Sequence, residues 1–124
     1  MKQKRPVNLD LMSLKYPPMA IASILHRLSG IVLFLLSPAL LYVLSLSLRS
    51  EASFESMKHL LATPLNKFLT WVFVSALAYH LLAGIRHMVM DLGFAEGLPT
   101  GRRSALLVIL LAIILMIGLG IWIW

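Results

Sequence analysis

Three long apolar runs constrain the fold more than any other feature of this 124-residue chain. Residues 28–48 and 104–124 are each 21 positions long and contain no charged side chain. Residues 68–85 form an 18-residue run in which His80 is the only ionisable residue apart from Tyr79. Each run is close to the roughly 20 residues with which an α-helix crosses a bilayer. The sequence therefore predicts an all-α integral membrane protein with three transmembrane helices.

These runs divide the chain into six predicted segments. The transmembrane helices are expected at 19–48, 67–92 and 104–124. They are joined by a periplasmic loop at 49–66 and a cytoplasmic loop at 93–103, and preceded by a cytoplasmic N-terminal arm at 1–18.

Composition narrows the function classes. Hydrophobic residues make up 60% of the chain and charged residues 13%, which argues against an ordinary soluble domain with its own aqueous active site. The chain contains no cysteine, which excludes internal disulfides and cysteine-ligated iron–sulfur or zinc sites. The net charge of +6 comes from basic residues dispersed around the apolar runs. We interpret them as topology signals at a lipid membrane, and expect no nucleic-acid partner.

The distribution of charge and tryptophan predicts the orientation. Eight of the eleven basic residues fall on one side of the membrane if the N-terminus is cytoplasmic, as the positive-inside rule favours. Trp71, Trp122 and Trp124 then all reach the opposite interface, where aromatic belts lie. We therefore expect a periplasmic C-terminus.

One face of the second predicted helix carries unusual residues for a membrane. Gly84, His87 and Asp91 lie within about 40° of His80 on a helix of 3.6 residues per turn. An imidazole inside a bilayer is costly, so it normally has a partner or a function. The small Gly84 leaves room beside it for a bulky group.

The predicted topology brings further polar residues to the same membrane level. Ser23, His26 and Arg27 lie in the first turns of the first helix, level with His87 and Asp91 near the cytoplasmic face. His80 would lie about 10 Å deeper, because seven residues rise 1.5 Å each. This arrangement favours a cofactor that extends from the cytoplasmic face of the membrane toward its centre.

A b-type haem fits these residue types. Its iron takes an imidazole nitrogen, its porphyrin needs a small neighbour such as Gly84, and its propionates need cations such as Arg27, Arg86 or a charged histidine. His80 and His87 project from the same side of one helix, so they cannot ligate opposite faces of one iron. We therefore expect the second axial ligand to come from another helix in another chain.

Simpler interpretations of the same residues remain open at this point. His80 could only hydrogen-bond a neighbouring helix, and Gly84 could only allow close helix packing. Arg27 and Arg86 could be topology anchors that extend to the interface, with Asp91 paired to a nearby arginine.

Three blocks of the sequence resemble a known family. They are RPVNLDL at 5–11, ASILHRLSG at 22–30 and AYHLLAGIRHMVMDLG at 78–93. The patterns Ser-x-x-His-Arg-x-Ser-Gly and His-x3-Gly-x-Arg-His-x3-Asp are specific together, whereas the third apolar run is generic. The chain is similar to the cytochrome b556 membrane-anchor subunits of bacterial succinate dehydrogenase, respiratory complex II.

The resemblance implies roles for individual residues. His80 is expected to be one axial ligand of haem b, with the other ligand supplied by a second anchor subunit. Ser23 and Arg27 are expected to border the ubiquinone site at the iron–sulfur subunit, and His26 and Arg27 to lie near the haem propionates. The remaining residues expected in the vicinity of the cofactor are Gly84, Arg86, His87 and Asp91.

The resemblance also implies a function. The chain would be a non-autonomous, multi-pass subunit in the bacterial inner membrane, part of a haem-containing helical bundle with the second anchor subunit. Succinate would be oxidised on a flavoprotein subunit, and electrons would pass through the iron–sulfur subunit to ubiquinone.

Three alternative functions remain. The same residues would suit an anchor of quinol:fumarate reductase, since the direction of the reaction is not encoded here. A small proton-coupled transporter would be expected to carry an acidic residue inside a span, and the apolar runs contain none. A haem-free structural anchor would show no b-type absorption band.

Overall fold

Three long helices and one short helix form the structure, a computed structural model that describes residues 16–124. The elements are α1 (Pro18–Ser47), α2 (Glu51–Leu61), α3 (Pro64–Asp91) and α4 (Leu98–Ile123). The long helices α1, α3 and α4 are each long and apolar enough to cross a membrane, and residues 16–124 contain no β-strand. The prediction of an all-α protein with three candidate spans is thereby confirmed. The block at 5–11 and nearly all of the predicted arm lie outside the described residues.

Proline residues accompany the starts of the three long helices. Each helix carries a proline in one of its first two positions, where the missing N–H is not needed and the fixed φ suits a helix. Inside α1, Pro38 cannot donate to the carbonyl one turn earlier, yet the helix continues to Ser47. Beside it the Ser37 hydroxyl donates to the Leu33 carbonyl at 2.6 Å. That bond satisfies the Ser37 hydroxyl inside an apolar segment.

The short helix α2 occupies most of the segment that we predicted as a loop at 49–66. Ser50 caps it by accepting a hydrogen bond from the Ser53 backbone N–H at 3.1 Å. Glu51 lies in its first turn, and Lys58 and His59 lie in its last, which suits the helix dipole. These local signals explain why a helix forms here although none of its residues is buried.

A tight turn sets α4 against α3. The Gly93 and Phe94 N–H groups donate to the Met90 and Val89 carbonyls, at 2.9 and 3.2 Å. This is the Schellman pattern at a helix C-terminus, and Gly93 adopts the positive φ of 87° that it requires. The turn leaves few residues before α4 begins at Leu98, so the two helices are antiparallel neighbours.

Small residues line the contacts between the helices. Small side chains let helix backbones approach closely where lipid removes the usual hydrophobic driving force. Large apolar side chains such as Phe34, Ile121 and Trp122 are instead exposed. The buried residues of the three long helices are Ala22, Ser29, Ser75, Tyr79, Ala83, Gly101, Ala105, Val108 and Ala112.

Hydrogen bonds between helices hold this packing in register. The buried Tyr79 hydroxyl donates to the Ala22 carbonyl of α1 at 2.7 Å. The Trp71 indole N–H donates to the Met116 carbonyl of α4 at 2.9 Å. Such bonds are favoured in a membrane because water is not there to replace them.

Tyr79→Phe should destabilise the protein without removing its secondary structure. The variant loses the bond to Ala22, and we expect a loss of about 0.5–2 kcal/mol in unfolding free energy. The measurement is unfolding of the purified complex by sodium dodecyl sulfate, followed by circular dichroism. Tyr42→Phe is the control, because Tyr42 is an exposed tyrosine of α1. Equal stability of the two variants would contradict the predicted contribution.

Candidate functional site

Two imidazole rings meet between α1 and α3. The His26 and His80 rings stack with their centroids 4.2 Å apart and their planes inclined by 24°. The His80 Nδ1 atom lies 2.9 Å from the Ser29 hydroxyl, which also donates to the His26 carbonyl at 2.7 Å. We call His26, Ser29 and His80 the imidazole cluster. His80 of α3 is therefore held against α1 by a stacked ring and a hydrogen bond.

Two glycines border the imidazole cluster closely. A Cβ placed on Gly30 would lie 3.3 Å from His80 Cε1, which is tighter than ordinary side-chain contacts. A Cβ placed on Gly84 would lie 3.6 Å from His26 Nε2, an ordinary van der Waals distance. Glycine at these two positions therefore lets the helix backbones approach the two rings closely.

The His26 Nε2 atom is buried and has no hydrogen-bond partner among residues 16–124. Buried polar atoms in proteins are nearly always paired, since an unpaired one carries a desolvation penalty. This nitrogen faces the backbone of Gly84. It is the kind of orphaned polar atom that a bound group or a partner chain would satisfy.

The other residues that were predicted near the cytoplasmic face lie on exposed surface. Ser23 and Arg27 project from the N-terminal turns of α1 and are exposed, one turn apart on the same helix. His87 and Asp91 form an exposed pair on α3, with Nε2 and Oδ2 3.7 Å apart. An exposed pair of this kind contributes little stability, so these side chains remain available to other groups.

Arg86 faces a different neighbour from the imidazole cluster. Its guanidinium donates to the Ser104 hydroxyl at 3.0 Å and to the Gly101 carbonyl at 3.1 Å, both on α4. These bonds give the residue a structural role in the α3–α4 hairpin. Its predicted place in the vicinity of a cofactor stays a prediction.

Sequence reasoning did not single out Ser29 or Gly30 as site residues. Both belong to the Ser-x-x-His-Arg-x-Ser-Gly pattern, and Ser29 follows His26 by three positions, close to one helical turn. That spacing could have indicated a shared face with His26. The contact with His80, 51 positions away, depends on the packing of α1 against α3.

Comparison with known proteins shows the family of the chain. The sequence matches the model of the family described as succinate dehydrogenase/fumarate reductase transmembrane subunit over residues 1–119. The chain belongs to this family. It is also 49% identical over 128 residues to the succinate dehydrogenase cytochrome b556 subunit of Coxiella burnetii (strain RSA 493 / Nine Mile phase I), with 100% of both chains covered.

These matches confirm the predicted resemblance and the predicted anchor function. The chain is a membrane subunit of the succinate dehydrogenase complex, which is an enzyme, and it therefore works together with partner subunits. A cytochrome b subunit implies haem b.

The imidazole cluster fits such a group in its donor chemistry. Imidazole nitrogen is a common axial ligand of haem iron. The cluster offers a partly buried imidazole and an unpaired ring nitrogen, with glycine backbone close to both rings. The imidazole and the unpaired nitrogen are groups that can serve as an iron ligand and as a hydrogen-bond donor to a haem.

Gly84→Leu should weaken haem retention, whereas Gly84→Ala should not. A leucine would press on the His26 ring, and overpacking of this kind costs about 1–3 kcal/mol, which corresponds to roughly 5- to 150-fold in affinity. The measurement is haem content per purified complex. Gly118→Leu is the control, since a Cβ there meets no heavy atom of residues 16–124 within 4 Å. Equal haem content in the two leucine variants would contradict the predicted need for a small residue at Gly84.

Proposed function

We propose that this chain holds haem b jointly with a second anchor subunit and helps to form the ubiquinone-reduction site of succinate dehydrogenase. The observation that carries the proposal is the stacked pair of His26 and His80 between Gly30 and Gly84. Succinate oxidation is assigned to a flavoprotein subunit, which delivers electrons through an iron–sulfur subunit. On its own, the chain would be inactive.

His80 would be the haem ligand that this chain contributes. Its ring is partly buried at the helix contact, and its Nδ1 atom already has Ser29 as a partner, so Nε2 is the nitrogen available for iron. His87 lies on the exposed part of α3 and pairs with Asp91. One helix therefore offers one axial imidazole, and the second ligand would come from the partner anchor subunit.

His26 and Arg27 would bind the acidic groups of the haem. The unpaired His26 Nε2 can donate a hydrogen bond, and the exposed Arg27 guanidinium is a fork of donors suited to carboxylates. Bound haem b supplies a one-electron redox centre whose potential depends on its ligands and burial. Gly84 would leave room for it, with Arg86, His87 and Asp91 in supporting positions.

Ser23 and Arg27 would bind ubiquinone. Both are exposed at the N-terminal end of α1, where an iron–sulfur subunit could cover them. The Ser23 hydroxyl can donate a hydrogen bond to a quinone carbonyl oxygen, and Arg27 can stabilise negative charge that develops on the quinone oxygens. These residues would orient the quinone while it takes up two electrons and two protons.

The proposed location is the bacterial inner membrane, with the N-terminus cytoplasmic and the C-terminus periplasmic. Trp71 contacts α4 near its C-terminal end, through Met116 and the Gly120 backbone. It therefore lies at the same end of the bundle as Trp122 and Trp124. One shared tryptophan belt supports the orientation that the basic residues favour.

Loss of the His80 side chain should remove the haem. In a purified complex carrying His80→Ala, we expect the b-type band of the reduced-minus-oxidised spectrum to disappear, because the iron loses an axial ligand. His59→Ala is the control, since His59 is an exposed histidine of α2. A b-type band untouched by His80→Ala would eliminate the ligand assignment.

Loss of the Ser23 hydroxyl should slow quinone reduction while succinate oxidation with a soluble dye continues. A lost hydrogen bond of about 1–3 kcal/mol corresponds to roughly a 5- to 150-fold fall in kcat/KM for ubiquinone. Ser56→Ala is the control, because the Ser56 hydroxyl is exposed and bonds back to Ala52 of its own helix. A Ser23→Ala complex with wild-type quinone kinetics would refute the hydrogen-bond role.

A further inference from the structure

Ser29 occupies a position between the two histidines that the proposed function does not yet use. Its hydroxyl lies 2.7 Å from the His26 carbonyl and 2.9 Å from His80 Nδ1. We propose that Ser29 is a positioning residue, which holds His80 with its proton on Nδ1 and its lone pair on Nε2. This inference rests on the proposed function, because it matters when His80 ligates the haem iron.

The single proton of the Ser29 hydroxyl limits the hydrogen bonds that it can donate. A serine hydroxyl has one proton and two acceptor lone pairs, whereas a carbonyl oxygen can only accept. Two oxygens 2.7 Å apart need a proton between them, so the Ser29 proton points at the His26 carbonyl. The oxygen then presents a lone pair to His80.

The protonation of His80 follows from this arrangement. An Nδ1 atom 2.9 Å from a lone pair must carry hydrogen for a bond to form. A neutral imidazole carries one N–H, so Nε2 is left with the lone pair. This is the tautomer in which Nε2 can bind a metal.

The same contacts also fix the orientation of the ring. Ser29 holds the Nδ1 edge, and the His26 ring covers one face. On the Cε1 side the Gly30 backbone approaches so closely that an added Cβ would be 3.3 Å away. Rotation of the His80 ring would break the hydrogen bond and move the ring against one of these neighbours.

Burial makes the role of Ser29 hard to replace. Ser29 is 7% exposed, so water has little access to the position after the hydroxyl is removed. The Nδ1–H group would then be buried without an acceptor, which carries a desolvation penalty. A hydrogen bond at Nδ1 also makes Nε2 a stronger donor to the metal, and loss of such a bond typically lowers metal affinity 10–100-fold.

Another serine of α1 provides a matched control. The Ser45 hydroxyl donates to the Tyr42 carbonyl at 2.8 Å, three positions earlier, just as Ser29 donates to His26. Ser45 is exposed, and among residues 16–124 its hydroxyl has no imidazole partner. Ser45→Ala therefore removes the same backbone bond without affecting a histidine.

The test compares Ser29→Ala, Ser29→Cys, Ser29→Thr and Ser45→Ala in the assembled complex. Three properties are measured: the rate of haem transfer to a haem-free globin, the haem midpoint potential, and the electron paramagnetic resonance spectrum of the ferric haem. Ser29→Ala should lose haem about 10–100-fold faster. Its potential should be more positive, because a weaker nitrogen donor stabilises ferric iron less, and its ferric spectrum should change with ring orientation.

The other variants should distinguish an effect of the Ser29 hydroxyl from a general effect on folding. Ser29→Thr keeps the hydroxyl and should restore wild-type values, Ser29→Cys offers a weaker acceptor and should be intermediate, and Ser45→Ala should match the wild type. Wild-type haem loss and potential in Ser29→Ala would overturn the inference, as would an assembled Ser29→Thr complex that behaves like the alanine variant. If Ser29→Ala yields no complex, Ser29→Cys decides: wild-type values overturn the inference and shifted values support it.

Failure of the underlying proposal would have a different signature. A His80→Ala complex that keeps its b-type band shows that His80 is not the ligand, whatever the Ser29 variants do. Loss of that band in His80→Ala, together with wild-type values in Ser29→Ala, would reject the role of Ser29 alone.

Discussion

The requirement that polar groups inside a membrane find partners within protein governs this structure. Hydrocarbon offers no water to satisfy a hydroxyl, an indole N–H or an imidazole. Tyr79 accordingly bonds to α1 and Trp71 to α4, while Ser29 joins His26 to His80. The bundle is held by a few directional bonds between closely packed small residues. Two buried side-chain atoms among residues 16–124 are exceptions, Ser75 Oγ and His26 Nε2, and the latter lies beside the Gly84 backbone.

The dependence of this chain on partner subunits has the same physical origin. Its helices leave large apolar side chains such as Phe34 and Trp122 exposed, which suits lipid and partner helices. Helix α3 offers a single imidazole to the proposed cofactor site, because His87 pairs with Asp91 on the exposed surface. A membrane subunit that depends on partner subunits is consistent with both observations. The proposed roles of Ser23 and Arg27 extend this logic, since an exposed side chain can be completed by a neighbouring chain.

Sequence reasoning was most reliable where the physical signal is local. Runs of about 20 apolar residues predict spanning helices because the bilayer thickness sets their length. The short α2 was expected to be a loop, although Ser50, Glu51 and the basic residues of its last turn are local helix signals. Arg86 shows that residue type alone does not identify a contact. Its guanidinium would suit a haem propionate, but in the folded chain it donates hydrogen bonds to Ser104 and Gly101.

By itself, the sequence determined the three spans, the family and the unusual character of His80, because hydropathy and motif spacing can be read from the linear order of the residues. The tertiary structure decided which side chains meet. Ser29 and His80 are 51 positions apart, and their 2.9 Å contact exists because α1 packs against α3 at one rotation of each helix. Helical periodicity specifies faces along one element, whereas the facing partner depends on how small residues let the helices approach.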